Sequence, residues 1–552
     1  FQAEDGIRDA QESRGLGDVY KRQLSDKIMA DPSVCNGRKC LYYEVCYFFR
    51  ERQKVRNANL LIVNHALLFS HFSAVSRVSV GDYGGILPPF GRLILDEAHH
   101  VEETASDYLG EEASSSGFQR IIGLLYQPAE AGQEAGILIR VRGYEFSPAL
   151  KSRVRRILDS RCIPGVRELS SVALGVFQRL SVLPPFKKES DKIRLDERLK
   201  QKAGGEIDEM IMDFARKIAE YKKSLAELRE ECIRENEDIA TELSGAGARL
   251  EAFRDSLIRI WNISDEAWIY AIEYSRRQRL PFVRLRSYPL RVGEILYEKV
   301  FKQMKTTVLT SATLSVNKSF HYLNASTGLD KFDKDFVLTR IIDSPFDFST
   351  QAVLIIPEDM PMPDGENFLQ LAMPHVINLI RVMEGRTFIL FTSYGMLTEC
   401  ARIMREKLNG ESFNVYVQGE SSRHLLLKSF IENDRSVLLG TDSFWEGVDV
   451  PGRNLECVII MKLPFRVPTE PVIKARADYM KSMGMNPFEN YHLPQAVIRF
   501  KQGFGRLIRS RRDRGVVAIL DRRIFERRYG RSFIRSLPDV KILKGSFAGA
   551  VN

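Results

Sequence analysis

The chain has 552 residues, 44% hydrophobic and 28% charged, which allows two to four domains with substantial cores. It contains no run of eighteen apolar residues and no signal-peptide apolar core, so no transmembrane helix is expected and a cytoplasmic protein is the default. Lys plus Arg number 81 against 72 acids, a net charge of +9; this fits a nucleic-acid partner as well as it fits a merely basic protein.

Residues 1–23 show no helical or strand period. Their end, Asp18-Val19-Tyr20-Lys21-Arg22-Gln23, resembles a translated transposon adapter from a sequencing library. The stretch is set aside as a scar, with a disordered native N-terminus as the alternative. On the scar reading the gene starts upstream.

Further along, Leu60-Leu61-Ile62-Val63 predicts a buried strand, and Arg92-Leu93-Ile94-Leu95 a second one ending in Asp96-Glu97-Ala98-His99. Between Glu206 and Trp261 a heptad stripe runs through Ile207, Ile211, Phe214, Ile218, Tyr221, Leu225, Leu228 and Cys232. Ser244-Gly245-Ala246-Gly247 is expected to break it, with Leu250, Phe253, Leu257 and Ile260 resuming it. The pattern predicts a mostly helical insert with a coiled-coil-like hairpin. Thr306–Leu309 then predicts a strand leading to Ser311-Ala312-Thr313, and Asp343-Ser344-Pro345 a boundary turn. Strands predicted at Ala352–Ile356, Thr387–Phe391, Ser436–Leu439, Cys457–Met461 and Val516–Leu520 make a second doubly wound domain.

Four segments carry chemistry. Asp96 and Glu97, at a strand end, suit a site that holds Mg²⁺ and activates water; a solvated strand end is the bland alternative. Ser311 and Thr313 can relay hydrogen bonds from that site or form an ordinary turn. In the Gly440–Asp449 segment, glycines such as Gly447 permit close backbone approach and Asp449 can take a ribose hydroxyl; an ordinary strand-to-helix loop is the alternative. Gln502-Gly503-Phe504-Gly505-Arg506-Leu507-Ile508-Arg509 places Arg506 and Arg509 three apart, on one face if the segment is helical. Two guanidiniums there suit a triphosphate, and a basic helix surface continued by Arg511, Arg512 and Arg514 is the alternative.

These segments, with LLIVNHALL, LILDEAHH, TTVLTSATLS, FILFTSYGML, SFWEGVDVPG and AVIRFKQGFGRLIRS around them, resemble the DinG branch of the XPD-like superfamily-two DNA helicases. The resemblance spans about Asp31 to about Ser536. It implies an α/β fold of two RecA-like motor domains with an iron–sulfur insert and a helical arch. The implied segments are 24–58 for the iron–sulfur region, 59–105 and 280–345 for the first motor domain, 106–279 for the arch and 346–552 for the second motor domain. Asp96 and Glu97 would act on Mg²⁺ and water, and His99, Ser311 and Thr313 would couple. Gly447, Asp449, Gln502, Arg506 and Arg509 would bind ATP, with the two arginines catalytic.

Cys35-x4-Cys40-x5-Cys46 matches three of the family's four 4Fe-4S ligands; zinc with a borrowed ligand, or three unligated cysteines, are the alternatives. The resemblance places the fourth ligand upstream, together with the phosphate-binding Gly-x4-Gly-Lys-Ser/Thr loop, which occurs nowhere in these residues. The chain as given is therefore expected to hydrolyse almost no ATP. The implied partners are single-stranded and forked DNA, with no membrane, and a monomer in the bacterial cytoplasm at the nucleoid. Three rivals stand: the same motor with an N-terminal exonuclease, a nucleic-acid binder with a degenerate motor, and an RNA helicase. The cysteine cluster and the long insert speak against the last.

Overall fold

A computed structural model describes residues 42–75, 86–128, 134–183, 190–275, 282–445, 450 and 452–545. Cys35, Cys40, Gly447, Asp449 and the adapter-like segment lie outside the described residues.

The largest sheet has seven parallel strands. In spatial order they are Lys541–Gly545, Ala352–Pro357, Gly515–Ile519, Cys457–Ile460, Thr387–Leu390, Ser436–Gly440 and Asn414–Val417. The central strands Cys457–Ile460 and Thr387–Leu390 are buried at every position, as parallel strands covered on both faces must be. Helices pack on both faces over two apolar cores, so the architecture is a doubly wound α/β domain. All five strands expected here form; the short Asn414–Val417 and the edge strand Lys541–Gly545 are additional.

A second parallel pair joins Arg92–Leu95 to Thr306–Leu309. It sets the DEAH segment beside Ser311-Ala312-Thr313 although some 210 residues separate them in sequence. The predicted strand Leu60–Val63 forms no strand and pairs with none among the described residues, and Leu60 and Ile62 face solvent. Its apolar run is thus not matched by burial here.

The chain between these two halves of the pair builds the insert. The Gly205–Cys232 helix buries every residue of the predicted stripe. It pairs with the Glu237–Trp261 helix, and Trp261 Nε1 donates to Asp208 Oδ1 at 2.6 Å, closing the open end of the hairpin. The expected break at Ser244–Gly247 does not occur. Gly245, Ala246 and Gly247 are buried in mid-helix, and the turn falls at Ile233–Asn236 instead. Asn236 caps the second helix by accepting from the Ile239 N–H.

The insert is less purely helical than expected. Strands Glu112–Ser114, Phe282–Pro289, Trp268–Ser275 and Ser190–Arg194 form a four-stranded antiparallel sheet. The boundary expected at residue 280 falls inside the Trp268–Ser275/Phe282–Pro289 hairpin. Ile269, Ala271 and Tyr288 of that sheet pack on Val472 and Ala475 of the large domain.

Candidate active site

Asp96 and Glu97 leave the end of strand Arg92–Leu95. Glu97 has φ 48° and ψ 45°, a left-handed conformation that a side-chain-bearing residue adopts only when its surroundings hold it there. They do so by three bonds: Glu97 N–H to Asp96 Oδ1 (3.0 Å), Ala98 N–H to the Thr310 carbonyl (3.0 Å) and His100 N–H to the Glu97 carbonyl (3.0 Å). The turn throws the Glu97 carboxylate, 59% exposed, toward the neighbouring strand end.

There it meets Ser311, whose hydroxyl donates to Glu97 Oε2 at 2.8 Å. His99 Nδ1 lies 2.8 Å from the same hydroxyl and 3.2 Å from Glu97 Oε2, while its ring is buried. Thr313 is buried beside them, its N–H donating to Ser311 Oγ at 3.3 Å. A carboxylate, a hydroxyl and an imidazole thus form one network across two strand ends. Such a network can orient a water molecule and transmit a change in its own geometry. Asp96 is exposed at the same turn. His65 also belongs here: it hydrogen-bonds the Asp96 backbone, and burial, reinforced by His100, holds its imidazole below the ordinary 6.5. The LLIVNHALL text contained it, but periodicity gives a lone histidine no role.

The Leu493–Phe504 helix approaches from the large domain. Gln502 is buried, with no hydrogen-bond partner for its Oε1 among the described residues. Gln502, Arg499 and His99 all line a cleft of about 380 Å³ between the two halves of the molecule. Lys501 Nζ donates to the Ser315 carbonyl at 3.0 Å, and burial lowers the lysine's proton affinity.

Arg506 and Arg509 are not on this helix. It ends at Phe504, and the two arginines follow in a turn, so the shared-face expectation is corrected. The reason is local: Asp513 accepts from the N–H groups of Arg509 and Ser510, both at 2.8 Å, and bends the chain away from helical pairing. Arg506 Nε donates to the Trp445 carbonyl at 2.9 Å, and neither arginine lines the cleft. Gly503 explains part of this text. A Cβ at that position would lie 2.8 Å from the Trp445 ring, so only glycine lets the helix close on it. Trp445 Nε1 in turn donates to the Phe391 carbonyl at 3.1 Å.

The cleft holds residues the motif reading missed. Arg476 bonds Glu102 at 3.1 Å, Arg466 bonds Glu103 at 2.5 Å, and the Tyr322 hydroxyl donates to Glu102 at 2.7 Å. Burial, then Glu102, pushes the Tyr322 phenol well above its ordinary value, so it remains a neutral donor. A single arginine in Ile473-Lys474-Ala475-Arg476-Ala477 has no motif around it; only its seclusion among apolar and small residues could have marked it.

The cysteines separate by environment. Cys162, Cys232, Cys400 and Cys457 are buried and their thiols are pushed up to about 12 by burial, which makes them core residues. Cys46 is half-buried just before the Tyr47–Asn57 helix, with Tyr42 and Tyr47 exposed on either side. Among the described residues no group of three or more His, Cys, Asp or Glu is placed to hold a metal, and no helix is long and apolar enough to cross a membrane.

A model of the helicase C-terminal domain family matches residues 376–540. The ATP-dependent DNA helicase YoaA of Haemophilus influenzae is 30% identical over 516 residues, covering 93% of this chain and 72% of that protein. The ATP-dependent DNA helicase DinG of Photobacterium profundum is 30% identical over 538 residues, covering 93% and 73%. A Bacillus subtilis protein named 3′-5′ exonuclease DinG is 29% identical over 546 residues, covering 95% of this chain and 54% of its own length.

Proposed function

Since the chain belongs to the YoaA/DinG family of ATP-dependent DNA helicases, we propose that it is an ATP-dependent DNA helicase of the XPD-like superfamily-two kind that moves 5′ to 3′ on single-stranded DNA and opens forks in repair or replication. The observation that supports this reading most directly is the Glu97–Ser311–His99 network, whose His99 lines the same cleft as Gln502.

Glu97 is the base that orients and deprotonates the attacking water. Its exposed carboxylate and its hydroxyl partner suit that work. Asp96 supplies the oxygen for a hard cation; Mg²⁺ bound there would neutralise charge growing on the γ-phosphate. Ser311, Thr313 and His99 sense the state of Glu97 and pass it on. Gln502, Arg506 and Arg509 act on the γ-phosphate from the large domain, and Gly447 and Asp449 complete the nucleotide site. For Arg506 this requires a rearrangement, since it does not line the cleft and its Nε holds the Trp445 carbonyl of its own domain. Cys35, Cys40 and Cys46 are the proposed 4Fe-4S ligands, of which only Cys46 lies within the described residues. The other four cysteines are packed in the apolar cores of the insert and of the large domain. We place the protein, as a monomer, in the bacterial cytoplasm with the nucleoid.

A forked duplex with one tail at a time tests substrate and direction together. Unwinding that needs the 5′ tail and resists RNA competition is expected. Unwinding from the 3′ tail, or equal competition by RNA, contradicts the direction or the substrate class respectively. A motor joined to an exonuclease is favoured by the name of the Bacillus subtilis relative, and degradation of the single strand in the same assay would support it.

A further inference from the structure

Arg476 sits on the Pro471–Ser482 helix and is 7% exposed. One terminal nitrogen bonds Glu102 Oε1 (3.1 Å) and the Tyr491 hydroxyl (3.3 Å). The other donates to Ser106 Oγ (2.8 Å) and to the Pro289 carbonyl (3.1 Å). These partners come from three parts of the molecule. Glu102 and Ser106 lie on the Val101–Tyr108 helix, which begins two residues past His99. Pro289 ends the last strand of the insert's sheet, and Tyr491 belongs to the large domain.

The contacts around the guanidinium repeat the pattern. Arg466 of the large domain pairs with Glu103 on the same short helix, and Lys192 of the insert pairs with Glu470 at 3.0 Å. The insert's sheet rests directly on the helix that carries Arg476.

A buried ion pair is poor evidence of stability, because desolvation cancels much of the attraction and apolar packing would hold the interface as well. What a planar guanidinium supplies is direction: four bonds from one rigid fork fix where three elements stand relative to one another. Glu102 is three residues from His99, so a shift of Arg476 reaches the Glu97 network through a single turn of helix.

We propose that Arg476 is a positioning residue that couples the Glu97–Ser311–His99 network to the insert and the large domain, so that DNA engaged by those parts is felt at the DEAH turn. The proposal rests on the helicase reading above. Hydrogen exchange on the intact gene product, with and without oligothymidine, tests it alongside ATP turnover. In the unaltered protein DNA alters exchange in Val101–Tyr108. In Arg476→Met that response is lost while Trp268–Ser275 and Phe282–Pro289 still respond. DNA stimulation of turnover falls about tenfold, the size of an ordinary coupling term, with KM for ATP held within about twofold. Arg476→Lys restores only part, since an ammonium lacks the fork. Should Arg476→Met fail to fold, Glu102→Gln keeps the shape and is expected to lose the same response.

A Val101–Tyr108 helix that answers DNA in the variants as in the unaltered protein overturns the proposal, as does one that ignores DNA in the unaltered protein. Basal and DNA-stimulated turnover falling in equal proportion with Tm makes Arg476 merely structural and overturns it too. If DNA fails to stimulate the unaltered protein, the helicase reading falls, while the exchange comparison still judges the joint.

Discussion

Glu97 shows how a single residue is prepared for work. Its left-handed backbone costs about 1–3 kcal/mol and is sustained by three hydrogen bonds that aim the carboxylate at Ser311. Ser311→Ala removes the hydroxyl between Glu97 and His99. Turnover is expected to fall about tenfold or more while Tm stays within about 2 °C, read by ATP hydrolysis and calorimetry. An unchanged rate contradicts the coupling role. Acidity acts on two other residues. Burial holds His65 and His71 below 6.5, and His71 Nδ1 accepts the Leu87 N–H at 3.1 Å, which requires a neutral ring. A depressed histidine contributes stability that is complete above 6.5 and is lost as pH falls through the folded value. Tm should therefore drop as pH falls below about 6.5, and His65→Gln with His71→Gln should flatten that drop. A profile as steep in the double variant places the acid sensitivity elsewhere.

At the scale of elements, close approach decides what each segment tolerates. Gly503→Ala would press a methyl into the Trp445 ring, costing about 1–3 kcal/mol, and Phe214→Ala would leave a cavity in the hairpin costing about 3–5 kcal/mol. Urea unfolding checks both; a neutral Gly503→Ala would contradict the packing account. Elements with a dense, repeated apolar pattern were legible beforehand. The Gly205–Cys232 stripe and the buried strands of the large sheet repeat one signal over many residues. Elements that depend on distant partners were not. Ser190–Arg194 is rich in charge, and its strand character comes from pairing with Trp268–Ser275. Leu60–Val63 errs the other way: it has a strand's composition without a pairing partner among the described residues. The turn after Phe504 was misread because its cause, the Asp513 carboxylate, lies beyond the motif. The DEAH and SAT segments stand out in the sequence as separate motifs, and their meeting at Ser311 is a product of the parallel pairing of Arg92–Leu95 with Thr306–Leu309.

Across the whole molecule, charge is unevenly placed. Residues 499–544 hold 15 Lys or Arg against 4 acids, whereas the rest of the chain holds 66 against 68. Arg511, Arg512, Arg514, Arg527, Arg528, Arg531 and Arg535 are exposed, while acids within this stretch such as Asp513 and Asp521 are buried in local bonds. The excess charge is therefore presented on one domain, where a phosphate backbone would meet it. Replacing Arg511, Arg512 and Arg514 with serine should lower the slope of log K against log salt for single-stranded DNA by about 2, since each lost phosphate contact removes about 0.7. A slope that does not change would remove these arginines from the DNA contact.

On the proposed reading, Glu97 activates the water that hydrolyses ATP and DNA stimulates that step. ATP turnover by the product of the intact gene, with and without single-stranded DNA, tests it most directly when set against Glu97→Gln. Strong stimulation by DNA is predicted, reduced by about 10²–10⁴ in Glu97→Gln with DNA binding retained. Turnover that DNA does not stimulate, or that survives Glu97→Gln, would contradict the account and leave a nucleic-acid-binding protein with an idle motor.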